Sequence, residues 1–193
     1  MHRLFVAIDL PENLRTMVSD IGRDLPGAHC VSMEQLHLTL RFIGEVGEET
    51  FNAIRSALAG ITGAPFPLTL RGVGHFPPGR HPRVLWVGFE ECVALLELQR
   101  EVELALIEAG IPPEERKFSP HLTLARLKET PPGQVAALEE RCREFVAGPF
   151  PVTEFHLYSS TLSRAGAIHS REASYPLSST LQEPVGVGIK STA

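Results

Sequence analysis

His121-Leu122-Thr123-Leu124 is the stretch on which the reading turns, because the same four residues already stand at His37-Leu38-Thr39-Leu40. Both copies sit in apolar, β-branched or aromatic surroundings, Gln35 to Ile43 in the first and Phe118 to Leu127 in the second. Each reads as a strand, and a strand sends alternate side chains to opposite faces. The two Leu residues of a copy therefore share a face suited to a core. His and Thr share the other face, roughly 6–7 Å apart along the strand. An imidazole that titrates near neutral pH beside a neutral hydroxyl donor is a good pair for holding a phosphate. Two such pairs supply one acid and one base.

Working outward, 193 residues suffice for one domain with a real core, or two small lobes sharing one. Hydrophobic residues at 43% and charged residues at 21% are ordinary for a globular chain. The formal net charge of -5 argues against a protein that coats duplex nucleic acid. It leaves room for a small or terminal anion in a locally positive cleft. Cys30, Cys92 and Cys142 are scattered and lack paired metal spacing, so they read as reduced, mostly core thiols of a cytoplasmic protein. Met1 runs straight into the strand-like Leu4-Phe5-Val6-Ala7-Ile8, which is too short for a signal peptide. No apolar run approaches a membrane span.

The flanks of the two motifs fall into matching order. Arg3 to Asp9 reads as a strand, and Pro11-Glu12 opens a helix with Leu14, Val18, Ile21 and Leu25 on one stripe. The first motif strand ends at Gly44, and a helix from Glu48 carries Phe51, Ile54 and Leu58. Phe66 to Val73 is a strand, and His75 to Pro82 is a proline- and glycine-rich loop. Arg83 to Phe89 is again a strand, followed by a helix over Glu91 to Ala109 with Leu95, Leu98, Val102 and Leu106 in phase. After the second motif come a helix over Pro132 to Val146, strands at Phe150 to Ser159 and Thr161 to Arg164, a turn at Ala165-Gly166 and a last strand near Ile168 to Leu177. The copies are too far apart for a short-period solenoid, so internal duplication fits better. The fold expected is α+β: two pseudo-symmetric lobes, each an antiparallel sheet backed by helices, with a central cleft. Residues 1–178 form one bilobed domain and 179–193 a polar tail.

A single His-x-Thr on a strand reads as an ordinary satisfied histidine, and even the pair could be an ancestral core pattern kept for packing. Verbatim repetition in the same strand context is far more specific. Two His-x-Thr motifs at this separation resemble the two-histidine (2H) phosphoesterase superfamily, and within it the RNA 2′,3′-cyclic phosphodiesterases also called 2′-5′ RNA ligases. The resemblance runs through Arg3 to Pro11, Leu36 to Glu45, Pro82 to Gly88, Phe118 to Arg126 and Phe155 to Ser160. It departs at Val31-Ser32-Met33, where such proteins often carry tryptophan.

What the resemblance implies is hydrolysis of an RNA-terminal or nucleoside 2′,3′-cyclic phosphate to a 2′-phosphate, with His37 as proton donor to the 3′ oxygen and His121 as proton acceptor from water. Sequence symmetry alone does not choose between that and the swap. Thr39 and Thr123 would donate to the non-bridging oxygens. No metal or cofactor is called for. Partners are RNA ends or nucleotides carrying the cyclic phosphate, with no membrane and no obligate protein partner, the chain acting as a monomer. Reverse ligation, with a 5′-hydroxyl in place of water, uses the same groups. Other readings keep the site for a cyclic phosphate on a small nucleotide or nucleotide-sugar, or drop catalysis for a nucleotide-binding or RNA-end-binding domain. Pure binding does not need two titrating groups. Arg41 shares the parity of His37 and Thr39 and is expected to face the phosphate, the alternative being an edge or surface arginine. Arg126 is out of phase with His121 and reaches the cleft only if the strand bends after Leu124. Phe42, also out of phase, is expected in the core. His75 and His81 read as solvated loop residues, and His2, His29, His156 and His169 show no spacing that argues for function.

Overall fold

The two motif strands lie side by side, antiparallel, and the residues that pair across the seam are Leu38 and Leu122, the same position of each copy. A local twofold relating the copies passes through that pair. In the computed structural model, which describes residues 1–79, 81–163 and 166–178, the seam is the middle of one continuous antiparallel sheet. The elements are β1 (His2–Asp9), α1 (Glu12–Ser19), β2 (Ala28–Cys30), a 3₁₀ turn (Met33–Gln35), β3 (His37–Val46), α2 (Glu48–Ala59), β4 (Phe66–Phe76) and β5 (Val84–Phe89). They continue with α3 (Val93–Glu108), β6 (His121–Leu127), α4 (Pro132–Arg141), β7 (Val146–Val152), β8 (Glu154–Ser163) and β9 (Gly166–Pro176).

The sheet order is β7-β4-β5-β6-β3-β1-β8-β9, with β2 laid against β6. Each lobe borrows strands from the other half of the chain: β4 sits beside β5, while β8 and β9 extend the sheet past β1. This exchange explains why no linker is visible in the sequence. The apolar stripes do what their spacing predicts. Leu14 and Val18 of α1, Phe51, Ile54 and Leu58 of α2, Leu95, Leu98, Val102 and Leu106 of α3, and Val135 and Leu138 of α4 join one core with Leu38, Leu40, Leu122 and Leu124. The opposite face of the sheet is left for the His and Thr side chains.

Several boundaries differ from the sequence reading. α1 stops at Ser19, and the rest of its stripe is carried by turns. β3 runs two residues past Gly44, whose positive φ of 91° sits within the strand. Val146, read as helix, opens β7, and Thr153 divides the single strand expected over Phe150 to Ser159. The short β2 was not anticipated. Cys30 is exposed on it, against the expectation of a core thiol, while Cys92 and Cys142 are half-buried and pack against the core. The turn at Ala165-Gly166 falls partly, and the tail 179–193 wholly, outside the described residues.

Candidate active site

One extra residue in each motif strand decides what the cleft contains. Along β1, Ala7 pairs with Thr39 and Val6 with Arg41, so Leu40 is bulged out of register. Along β5, Trp86 pairs with Thr123 and Leu85 with Ala125, so Leu124 is bulged in the same way. A bulge places two residues opposite one and shifts the inside–outside alternation by one position. Beyond it, Arg41 and Ala125 turn inward, while Phe42 and Arg126 turn to the cleft.

The expectation for Arg41 therefore fails. Its side chain is 9% exposed and points away from the histidines. Nε donates to Glu103 Oε2 at 2.7 Å and Nη2 to the Pro112 carbonyl at 2.7 Å, while Nη1 meets the Phe42 carbonyl and Glu114. Arg41 clamps the loop after α3 onto β3. Phe42 corrects in the other direction: read as core, it is 60% exposed and lines the cleft. Arg126 reaches the cleft because the strand does bend after Leu124.

The cleft is a cavity of about 670 Å³. His37, Thr39, His121 and Thr123 all line it, together with Arg3 and Arg126. Among the described residues no Asp or Glu lines it, although the chain as a whole is acidic. Guanidiniums without a carboxylate beside them, among the described residues, set the pocket for an anion.

The two imidazoles are held differently. Nδ1 of His121 lies 2.8 Å from the Ser119 carbonyl, and its ring meets Phe76 edge-on with centroids 5.0 Å apart. A carbonyl accepts only, so Nδ1 carries hydrogen and neutral His121 keeps its lone pair on Nε2. That tautomer follows from Ser119-Pro120 running into the strand without helix or ladder to use the carbonyl. His37 instead stacks on Phe5 at 4.8 Å, and Phe5 stacks on Tyr158 at 5.3 Å. Burial in this column, and secondarily the neighbouring His169, push the His37 imidazole down to about 4, against an opposing pull from Asp9. Asp9 is itself occupied: it accepts from the Tyr158 hydroxyl at 2.8 and 2.9 Å and from Arg171. His156, 2% exposed, lies 3.7 Å from Asp9 and pairs its Nδ1 with Ser174 Oγ at 2.9 Å.

The sequence reading missed Phe5, Phe42, Tyr158 and His169 as neighbours of the site. Phe5 hides within an unbroken apolar run, where alternation is invisible. Phe42 is hidden by the bulge at Leu40, and the signal available for Tyr158 and His169 was the polar parity of β8 and β9: His156, Tyr158 and Ser160 alternate, as do His169 and Arg171. Of the loop histidines, His75 belongs to β4, its Nδ1 2.5 Å from Glu139 Oε1 and its Nε2 3.1 Å from the Gly79 carbonyl. It ties α4 to the edge of the loop rather than standing in solvent.

The model of the LigT like Phosphoesterase family matches this chain twice in tandem, over residues 6–86 and 87–169. The chain belongs to that family. Each match holds one His-x-Thr strand, so the duplication inferred from the motif is a repeat of the family unit. The chain is 36% identical to the RNA 2′,3′-cyclic phosphodiesterase of Archaeoglobus fulgidus over 170 residues, covering 86% of this chain and 96% of that one. It is 37% identical to the RNA 2′,3′-cyclic phosphodiesterase of Thermotoga maritima over 173 residues, covering 86% and 91%. Among solved structures, that of E. coli LigT complexed with 3′-AMP matches with a TM-score of 0.73 at 29% identity, over 91% of this chain and 98% of that one. A protein of Thermus thermophilus matches with a TM-score of 0.75 at 32% identity, over 91% and 97%.

Proposed function

We propose that this chain opens 2′,3′-cyclic phosphates at RNA ends, leaving a 2′-phosphate. The observation that carries this is the convergence of two His/Thr pairs, from strands of separate halves, on one cavity that no carboxylate lines among the described residues. Membership of the family and the names of relatives that match over most of their length support the same reaction.

The cyclic phosphate sits between the imidazoles. Water attacks phosphorus on one side while the P–O3′ bond breaks on the other. His121 is the base: with Nδ1–H engaged by Ser119, its Nε2 is free to take the water proton. His37 is the acid and delivers its proton to O3′. Each contributes typically ~10²–10⁴-fold. The Thr39 and Thr123 hydroxyls donate to the non-bridging oxygens, where charge gathers in the transition state, and Arg126 adds a fixed positive charge. His37 is neutral in the empty cleft, because burial penalises its cation. The substrate phosphate supplies the counter-charge that makes the imidazolium favourable, so acid strength arrives with the substrate. After turnover the two histidines have exchanged protonation states and solvent resets them. A 5′-hydroxyl in place of water gives 2′-5′ ligation at the same groups.

The test is incubation with each of the four nucleoside 2′,3′-cyclic phosphates, with and without EDTA. Turnover undiminished by chelator supports an acid and base that are both protein groups. No turnover of any of them, or activity lost to chelator and restored by Mg²⁺ or Mn²⁺, contradicts it.

A further inference from the structure

We propose that His169 is a substrate-binding residue that donates a hydrogen bond to the phosphodiester joining the cyclic-ended nucleotide to the rest of an RNA chain, so that the cleft favours RNA ends over free nucleosides. The proposal rests on the assignment of His37 as the acid at O3′.

His169 lies on β9, three strands from β3 in the sheet order, yet the curl of the sheet brings its ring edge-on to His37 with centroids 5.3 Å apart. The same ring meets Phe5 at 4.9 Å. It lines the cavity beside its cross-strand partner Ser160. Gln35, just ahead of the first motif, donates Nε2–H to the Ala167 carbonyl at 2.6 Å and fixes this end of β9 to the cleft wall.

Nδ1 of His169 is buried without a hydrogen-bond partner among the described residues. A proton there would be a stranded donor, so the ring is held neutral with its hydrogen on Nε2. Burial alone lowers its pKa, in keeping with that state. His169 is therefore a neutral N–H donor beside the acid, and its neutrality matters: a second cation there would oppose protonation of His37.

Ribose connectivity says what such a donor meets. O3′ is carried by the carbon next to C4′, which leads through C5′ to the preceding phosphodiester. O2′ is carried by the carbon next to C1′ and the base. In the order β6-β3-β1-β8-β9 the strand of His169 lies on the opposite flank of β3 from the strand of His121. That is the side on which O3′ departs and the RNA chain continues. Among the described residues, no Asp or Glu lines the cavity that holds His169.

The experiment compares kcat/KM for a dinucleotide ending in a 2′,3′-cyclic phosphate with that for the corresponding nucleoside 2′,3′-cyclic phosphate. A third substrate carries a neutral methylphosphonate in place of the internucleotide phosphodiester. Wild type is expected to prefer the natural dinucleotide over both others. In His169→Ala that preference falls by about 10-fold, the scale of one hydrogen bond to a charged group, and His169→Gln, which keeps an N–H donor, recovers part of it. Equal losses on dinucleotide and nucleoside, as a merely structural role would give, overturn the proposal. So does an unchanged preference, or a wild-type preference that survives the methylphosphonate. Failure of the wild type to turn over any of the three removes the cyclic phosphodiesterase reading itself, and this proposal with it.

Discussion

In the mechanism we propose, His37 is a poor acid alone and a good one with its substrate. Its ring is buried against Phe5 and lowered to about 4 in the empty cleft. The productive free enzyme is the singly protonated pair, whichever imidazole holds the proton, so kcat/KM against pH is expected to be bell-shaped. The limb belonging to His37 then lies near pH 4. A profile without any limb below about pH 5 contradicts the burial argument. The same depression has a stability consequence. An unfolded histidine titrates near ~6.5, so the contribution is complete above that pH and is lost as the pH falls from there through the folded value. Thermal melts between those limits are expected to fall more steeply for wild type than for His37→Gln. Thr39→Val and Thr123→Val are each expected to lower kcat/KM by about 1–3 kcal/mol in transition-state terms, the loss of one phosphate hydrogen bond. An unchanged rate in both would take the hydroxyls out of the site. The four motif residues were legible because each side chain could be placed from period-two alternation and one repeat. His169 and Tyr158 were not, because they come from strands that neighbour β3 only through the sheet order.

At the scale of elements, the decisive features are the two bulges at Leu40 and Leu124. Neither is marked by glycine or proline, so alternation read through the strand put Arg41 in the cleft and Phe42 in the core, the reverse of what is found. The strands, helices and their apolar stripes were otherwise readable, since burial follows periodicity. Strand ends such as Val46, and the break at Thr153, were not, because pairing partners set them. The relocation of Arg41 has a direct test. Arg41→Met leaves Glu103 and Glu114 without their shared cation on the helix-bearing side of the sheet. Both carboxylates are part-exposed and Glu114 keeps Arg116, so the loss is expected to be about 1–3 kcal/mol, or ~2–12 °C in Tm at this size. Activity measured below the melting range is expected to stay within a few-fold of wild type. The opposite pattern, full stability with turnover lost, would return Arg41 to the phosphate.

For the molecule as a whole, duplication does two jobs: it builds one sheet from two lobes through the Leu38–Leu122 seam, and it sets two like histidines in unlike surroundings. His121 is tied to a carbonyl and His37 is sunk in an aromatic column, and the proposed assignment of base and acid rests on that asymmetry where the sequence copies are identical. The cleft is the anion-attracting part of a chain with formal net charge -5. Affinity for plain duplex RNA is therefore expected to be weak at physiological salt. Tight retention with a steep salt slope would indicate a protein that tracks backbones rather than one that acts on ends. The most direct test of the central claim is chromatographic separation of 2′- from 3′-phosphate products after incubation of a cyclic-ended oligonucleotide with wild type, His37→Ala and His121→Ala. The 2′-phosphate alone is expected from wild type, with its formation nearly abolished in each histidine variant while both variants melt as folded proteins. A 3′-phosphate product, or wild-type turnover in either variant, would contradict the two-histidine account.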